Sequence, residues 1–357
     1  MITSNALFLI SAPFNITCLR EAIIDFKLDE IEVIIYIEGQ SKNTNQIVRK
    51  IKELKRKAKT KVTYLDYDEV KGKDLKKRIN QYSSILNSIR NKSYSYLFFS
   101  DFRTQWQKDF VETLRNDETF LIDDGAITLA FMKYHMPSKT YFSIPNYGTV
   151  ERRKEAEKIK TEEGICSKPL DNIKVYTIFH HTRDFKGELK KNNLTHLRKS
   201  FSSLDEEAAI IIGAKIVQRG FMTLELYDKL TKKIISNCKK EKVYYIPHRG
   251  QPEEYVDYIL SNNPELILLK TSEPVEDWLS KQVTPPSSIH GYASTAFYII
   301  NLSFPQIRLY CYKPLDVTLN DFNLPGKFGS TLYTNSDAAL LTYDEMPKEV
   351  SKIEMNI

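Results

Sequence analysis

The sequence has few of the residues that mark specialised protein classes. Its 357 residues include 4 cysteines, 12 glycines and 14 prolines, and no CxxC pair or metal-ligand spacing joins the cysteines. This composition excludes a disulfide framework and a collagen-like or low-complexity chain, and it predicts no zinc site. No apolar run approaches the roughly 18 residues of a membrane span, and the N-terminus lacks the basic start of a signal peptide. We therefore expect a globular cytoplasmic protein.

A strong excess of one charge is also absent. The chain has 52 Lys and Arg against 46 Asp and Glu, a net charge of +6. This balance suits a phosphate-bearing ligand or an anionic membrane surface, and it does not indicate a nucleic-acid partner. The basic run over 49–61 is typical of a solvated helix face. The alternative is peripheral contact with the inner face of an anionic membrane.

Short apolar runs alternate with longer amphipathic stretches, which predicts an α/β fold with parallel sheets covered by helices. We expect strands over 6–12, 31–37, 62–67, 96–99, 119–122, 175–179, 208–213, 242–246, 265–269 and 306–311. We expect helices over 18–26, 45–58, 221–232, 253–260, 275–281 and from 294, and a solvated helix or connection over 151–160. The pattern breaks around 160–205 and then restarts. It therefore predicts two Rossmann-like domains, 1–185 and 186–357, facing a central cleft.

Two adjacent carboxylates and a glycine, Asp123-Asp124-Gly125, follow one of these expected strands. Ligands of open α/β sheets bind beyond the carboxyl ends of the strands. One of the two acids there can act as a general base toward a sugar hydroxyl. The alternative is an ordinary Asp-Gly turn, or an N-cap for a helix over 126–134.

His248-Arg249-Gly250 follows the expected strand over 242–246. An imidazole beside a guanidinium suits a leaving phosphate, because the first can donate a proton and the second fixes charge. The alternative is a loop histidine next to a surface arginine.

A third group of polar residues lies between 271 and 300. Ser294-Thr295 begins an apolar helix, whose free N–H groups and dipole favour an anion. Plain N-capping is the alternative for Ser294, and Glu276 either binds a ribose or favours a helix N-terminus. Ser287 and Ser288 lie in the same stretch. The chain has no P-loop, no GxGxxG and no hydrolase serine elbow.

The order of these motifs resembles the bacterial sialyltransferases and polysialyltransferases of the GT-B type. That family has an acidic-acidic-Gly motif in its first domain, His-Pro after a strand in its second, and then a Ser-Ser or Ser-Thr pair. Residues 11–15 (SAPFN) are similar to its opening loop, and 210–213 (IIIG) to the first strand of its second domain. Glu276 lies where related enzymes place a ribose-binding glutamate. Arg249 in place of proline is a departure.

The resemblance implies a GT-B fold and inverting transfer of sialic acid from CMP-sialic acid. The acceptor would be a terminal galactose or related sugar of a bacterial surface glycan, either capsule or lipooligosaccharide. Asp124, or alternatively Asp123, would be the base, and His248 would donate to the departing phosphate. The implied donor-binding residues are Arg249, Glu276, Ser294, Thr295, Ser287, Ser288 and Gly213. We expect no metal or other cofactor, because CMP carries a single phosphate. Two alternatives remain: a GT-B enzyme using another nucleotide sugar, and a non-catalytic glycan- or nucleotide-binding protein.

Overall fold

The computed structural model describes residues 4–39, 41–54, 59–66, 74–139, 149–165, 170, 172–180, 185, 187–314 and 335–355. Among them the chain divides into two compact units. The first contains the described residues up to 180 and those over 187–192, and the second begins at Asn193. The predicted domain boundary between residues 185 and 186 stays a prediction.

The first unit alternates strands and helices. Its strands are β1 (Asn5–Ile10), β2 (Glu30–Ile37), β3 (Lys59–Asp66), β4 (Ser93–Phe99), β5 (Arg115–Ile122), β6 (Lys174–Thr177) and β7 (Leu189–Lys191). Its helices are α1 (Pro13–Asp25), α2 (Lys42–Leu54), α3 (Leu75–Ile89), α4 (Gln105–Thr113), α5 (Ile127–Ala130), α6 (Met136–Ser138) and α7 (Val150–Glu162), with a π-helical turn at Phe131–His135. The strands pair in parallel in the order β3-β2-β1-β4-β5-β6-β7.

Apolar spacing explains how the helices pack on this sheet. In α2 the buried side chains are Ile47, Ile51 and Leu54, which lie on one face at a helical period. The ring of Phe26, just after α1, meets Phe98, Phe120 and Tyr176 edge-on at centroid distances of 5.0, 5.0 and 5.3 Å. These three rings come from β4, β5 and β6, so one aromatic side chain ties three strands to the first helix.

The second unit repeats this organisation. Its strands are β8 (Asp205–Ile212), β9 (Lys242–Ile246), β10 (Leu266–Leu268), β11 (Pro286–Tyr292), β12 (Arg308–Pro314) and β13 (Ser351–Met355). Its helices are α8 (Leu224–Cys238), α9 (Glu253–Asn262), α10 (Val275–Ser280), α11 (Thr295–Ser303) and α12 (Asn335–Asp344). The sheet is parallel with the order β10-β9-β8-β11-β12-β13.

Both sheets have the strand order of a dinucleotide-binding fold. In each unit the first strand lies in the middle, the second and third extend to one side, and the fourth, fifth and sixth extend to the other. The order reverses between β1 and β4 in the first unit and between β8 and β11 in the second. Ligands of such sheets bind beyond the carboxyl ends of the strands at this reversal. We therefore expect functional side chains at the carboxyl ends of the strands on either side of the reversal in each sheet.

The predicted α/β fold with two Rossmann-like domains is confirmed. The expected strands and helices are present, with ends that differ by a few residues. The sequence predicts no strand over 285–296, but β11 forms there and lies at the centre of the second sheet. This strand contains Ser, His and Gly, so it lacks the apolar pattern of a buried strand. Its polar side chains can be buried because they form hydrogen bonds with neighbouring side chains inside the sheet.

The basic run over 49–61 is not a uniform solvated face. Lys50 is buried, and its Nζ donates to Thr17 Oγ1 on α1 at 2.9 Å. Residues 55–58 of the run lie outside the described residues. Among the described residues, no helix has both the length and the apolar character needed to cross a membrane.

Candidate active site

The buried amide of Asn15 joins two loops at the carboxyl edge of the first sheet. Its Oδ1 accepts hydrogen bonds from the backbone N–H groups of Ser11 (3.1 Å) and Ala12 (2.7 Å), which follow β1. Its Nδ2 donates to the carbonyl oxygen of Asp123, which follows β5, at 2.7 Å. Asn15 is fully buried, so these bonds are screened from water. The loops after β1 and β5 are therefore held together.

A second buried amide, that of Gln107, shapes the loop after β4. Its Oε1 accepts from the backbone N–H groups of Ser100 (2.8 Å) and Asp101 (2.9 Å), and its Nε2 donates to Ser100 Oγ at 3.2 Å. Ser100 Oγ also lies 3.2 Å from Ser11 Oγ, across the reversal between β1 and β4. The loops after β1, β4 and β5 thus meet at the carboxyl ends of these three strands.

Asp123 is built into this edge. Its side chain is fully buried, and its carboxylate accepts from Thr177 Oγ1 at 2.6 Å and from the Ile178 N–H at 2.8 Å. Burial raises the pKa of Asp123 to about 7, although these hydrogen bonds act in the opposite direction. The carboxyl group therefore links β5 to the end of β6, and a substrate hydroxyl has no open approach to it.

Asp124 differs from its neighbour in exposure. Its side chain retains 18% of its accessible surface, and Oδ2 accepts from Arg103 Nη2 at 3.3 Å. Its backbone N–H donates to Thr128 Oγ1 at 3.2 Å. The next residue, Gly125, has a φ of +77°, a backbone region that residues with a Cβ rarely adopt. The motif is thus both a tight turn and a partly exposed carboxylate at the sheet edge.

In the second unit, His248 follows β9 and is held by short local bonds. Its backbone N–H donates to Gln251 Oε1 at 2.7 Å, and its Nδ1 accepts from the Gly250 N–H at 3.0 Å. Burial, and to a lesser extent the nearby cations of Arg249, Lys215 and Arg219, together lower the pKa of His248 to about 4. A neutral imidazole that accepts at Nδ1 carries its proton on Nε2. His248 is therefore a hydrogen-bond donor near neutral pH.

A buried polar network supports this loop. Gln251 Nε2 donates to Tyr245 Oη at 3.0 Å, the hydroxyls of Tyr245 and Tyr227 lie 3.3 Å apart, and Tyr227 Oη accepts from the Ala214 N–H at 3.1 Å. These contacts connect the loop after β9 to the loop after β8. Gly213 makes room for them, since a Cβ on this residue would lie 2.4 Å from Gln251 Oε1. The structure thus places Gly213 against this network and gives it a packing role.

Three cationic side chains, in the loops after β8 and β9, influence the charge state of His248. Arg249 and Lys215 are exposed, and Lys215 extends along Gly250, where a Cβ would lie 3.0 Å from Lys215 Cδ. The charges of Arg249, Lys215 and Arg219 add to the effect of burial, which is the larger cause of the lowered pKa of His248. Lys215 and Arg219 are not among the predicted site residues. The signal that could have found them is their position just after β8, the first strand of the second domain.

Ser294 and Thr295 lie beyond β11, at the reversal of the second sheet. Ser294 is the N-cap of α11, and its Oγ accepts from the Ala296 N–H at 3.3 Å. Both residues are half-buried. Glu276 lies beyond β10 in the first turn of α10 and is 6% exposed. Ser294 therefore caps α11, as one of the two interpretations of the sequence predicts. The N-terminus of α11 lies at the same carboxyl end of the sheet as the His248 loop.

Ser287 and Ser288 do not lie at this edge. Both are buried at the amino end of β11, which is the opposite end of the strand from Ser294. Ser287 Oγ accepts from Arg308 Nη2 at 3.0 Å, and Ser288 Oγ lies 3.0 Å from His290 Nε2. The hydroxyls are engaged within the sheet because residues 286–292 form a strand, which the sequence did not indicate. We therefore leave both serines out of the site.

Within the described ranges, no group of three or more His, Cys, Asp or Glu side chains is placed to hold a metal ion. The expected independence of metal stays a prediction. The structure brings Asp123 and Asp124 together in the first unit. In the second unit the carboxyl edge of the sheet carries Gly213, His248, Arg249, Glu276, Ser294 and Thr295.

Comparisons with known proteins find solved structures that are similar to this chain only at low sequence identity and low TM-score. No protein-family model matches the chain, and no curated protein matches it. E. coli heptosyltransferase WaaC with ADP is 9% identical with a TM-score of 0.38, and the match covers 88% of each chain. LpCGTa in complex with UDP is 10% identical with a TM-score of 0.43, covering 81% of this chain and 75% of that one. A glycosyltransferase from Rickettsia africae ESF-5 is 7% identical with a TM-score of 0.42, covering 90% and 81%. These values are too low to transfer an activity, so the functional argument rests on the chain's own residues.

Proposed function

We propose that the protein is a glycosyltransferase of the GT-B type that transfers sialic acid from CMP-sialic acid to a sugar hydroxyl. The observation that supports this proposal is that the two sheets carry different chemical groups at the carboxyl ends of their strands. One reversal point holds a partly exposed carboxylate, Asp124. The other holds a neutral imidazole among cations and a helix N-terminus. A transferase needs a base for its acceptor and an anion site for its leaving phosphate.

The proposed reaction is a single displacement with inversion. Asp124 accepts the proton of the acceptor hydroxyl while that oxygen attacks the anomeric carbon of the donor. The bond between the anomeric carbon and the phosphate oxygen breaks, and CMP departs with the electron pair. Asp124 is assigned the role of base rather than Asp123, because the carboxylate of Asp123 is fully buried and occupied by Thr177 and Ile178.

The second unit supplies the proposed donor site. His248 Nε2–H donates a hydrogen bond to the departing phosphate, since its low pKa makes a hydrogen bond rather than proton transfer its natural role. Arg249 and the N-terminus of α11, at Ser294 and Thr295, stabilise the phosphate charge. Glu276 is proposed to accept hydrogen bonds from the ribose. The acceptor is proposed to be a terminal galactose or related sugar of a bacterial surface glycan.

One observation favours a second donor class. Lys215 and Arg219 add two cations beside His248 and Arg249, more positive charge than one phosphate requires. A donor with two phosphates, such as a UDP- or GDP-sugar, would also match this set. A thermal-shift comparison of CMP with UDP and GDP separates the two donor classes.

The decisive assay measures CMP release from CMP-sialic acid with and without a panel of galactosides. We expect acceptor-dependent release by the wild-type protein. In Asp124→Asn we expect a loss on the order of 10²–10⁴ in rate, with CMP binding retained. Asp117→Asn is a matched control, because Asp117 is an exposed carboxyl on β5, the strand that precedes Asp124. CMP binding without any turnover would support a non-catalytic binding protein. Wild-type turnover in Asp124→Asn would remove the assigned base.

A further inference from the structure

Arg103 is a firmly held cation at the carboxyl ends of the strands of the first sheet. It lies in the loop after β4, and both its backbone N–H (2.9 Å) and its Nε (2.7 Å) donate to Asp101 Oδ1. Its Nη2 donates to Asp101 Oδ2 at 3.0 Å. This is a bidentate pair, the strongest form of Arg–carboxylate contact. Asp101 is itself fixed through its backbone by the buried amide of Gln107.

The same guanidinium reaches the proposed base. Arg103 Nη2 lies 3.3 Å from Asp124 Oδ2, a longer contact than its two bonds to Asp101. The three side chains are mostly shielded from water, with exposures of 18% for Arg103, 11% for Asp101 and 18% for Asp124. Gln107, Asp101, Arg103 and Asp124 therefore form a continuous chain of polar contacts that ends at the reactive carboxylate.

We propose that Arg103, anchored by Asp101, is a positioning residue that sets the orientation and charge of Asp124 in the transfer reaction. This inference rests on the proposed function. A guanidinium that is fixed by Asp101 gives Asp124 Oδ2 a stationary partner, so the carboxylate keeps one orientation toward the acceptor. The positive charge favours the ionised, proton-accepting form of Asp124. The long contact stabilises the carboxylate less than a bidentate pair does, and so preserves its basicity.

Other charged and titratable side chains lie near Asp124 and affect how its protonation depends on pH. Asp124 has Asp123 beside it in the same loop, and Asp101 and Arg103 next to it from the loop after β4. Burial places the pKa of Asp123 at about 7, so this group titrates within the range of the assay. All the variants retain Asp123, so its titration contributes to every pH profile. The expected effect is therefore the difference between the pH profile of a variant and that of the wild type.

The test uses two variants. Arg103→Gln removes the positive charge, and Arg103→Lys keeps the charge but cannot form the bidentate contact with Asp101. For Arg103→Gln we expect kcat to fall on the order of 10- to 100-fold with little change in the KM for the donor. The acidic limb of kcat/KM should move up by about one pH unit, because Asp124 loses a cation that favours its ionised form. Arg103→Lys should restore the limb and only part of kcat. Thermal unfolding and CMP titration confirm that each variant is folded, and Arg115→Gln, which changes an exposed arginine on β5, should match the wild type.

The decisive arm repeats Arg103→Gln in an Asp124→Asn background. If Arg103 acts through Asp124, the added change should alter kcat by less than about twofold, because the two residues form one unit. A full additional loss in that background would overturn the inference, as would a wild-type kcat and pH profile in Arg103→Gln alone. Wild-type activity in Asp124→Asn would instead refute the base assignment, so the failure of the inference and the failure of the proposed function are distinguishable.

Discussion

Replacing Asp123 by asparagine should change how the stability of the first unit depends on pH. The Asp123 carboxyl is fully buried, and burial raises its pKa from an ordinary 3.8 to about 7. Between these values the folded protein holds a proton that the unfolded chain has released. Stability from this group is therefore fully present below about pH 4 and is lost as the pH rises through about 7.

The size of the effect follows from the two pKa values. A difference of about 3 pH units corresponds to about 4 kcal/mol over the whole window, as an order of magnitude. Between pH 5 and pH 8, roughly 2.5 kcal/mol of this should be lost by the wild type. Asparagine does not titrate. Its amide also replaces one acceptor oxygen with an NH2 donor, so either the Thr177 hydroxyl or the Ile178 N–H loses its acceptor, which adds a constant cost of about 1–3 kcal/mol.

The measurement is urea unfolding of wild type and Asp123→Asn at pH 5, 6, 7 and 8. Tryptophan fluorescence in a Trp278→Phe background leaves Trp106, in α4, as the reporter for the first unit. The difference in stability between the two proteins should shrink as the pH rises. Asp117→Asn is the control, because Asp117 is an exposed carboxyl on β5, the strand that precedes Asp123. A difference that stays constant from pH 5 to pH 8 would refute the raised pKa.

Three other predictions concern the second unit and the proposed reaction. Gly213→Ala should push Gln251 out of its network, because the new Cβ would lie 2.4 Å from Oε1; we expect a loss of about 1–3 kcal/mol by chemical denaturation and weaker CMP binding by calorimetry. His248→Gln should keep part of the activity, since an amide N–H can replace the Nε2–H donor, whereas His248→Phe should lose it; equal rates in both variants would remove the hydrogen-bond role. Initial rates after exhaustive chelation should equal those without chelator, and complete loss restored by one divalent ion would contradict the metal-free donor site.

The choice between Asp123 and Asp124 illustrates what the sequence could not supply. Two adjacent carboxylates in a strand-to-turn motif are equivalent in the sequence. They become different because Thr177 and Ile178, more than 50 residues away, close over one of them. The same holds for Arg103 and Gln107. No local motif marks these residues, and their roles depend on the loops that the sheet brings next to them.

Local patterns were sufficient for much of the fold. The buried run in β1, the helical spacing of Ile47 and Ile51 in α2, and the N-cap Ser294 of α11 each arise from interactions within a few residues, so a sequence pattern predicts them. Two series of such elements were enough to predict two Rossmann-like domains. β11 was missed because its polar side chains are satisfied by partners on β12, which no local pattern reveals.

The α/β alternation and the places of the three polar motifs after strands can be predicted from the sequence, because strand and helix periodicity and turn chemistry act over short stretches of chain. Which of the motif residues reach the carboxyl ends of the strands depends on how the chain packs. Tertiary packing buries Asp123 and leaves Asp124 partly exposed, and it keeps Ser287 and Ser288 at the amino end of β11. It also brings the charges of Lys215 and Arg219 near enough to His248 to lower its pKa. Burial, pKa and hydrogen-bond partners depend on neighbours in space, and in a parallel sheet those neighbours come from strands that are distant in the sequence.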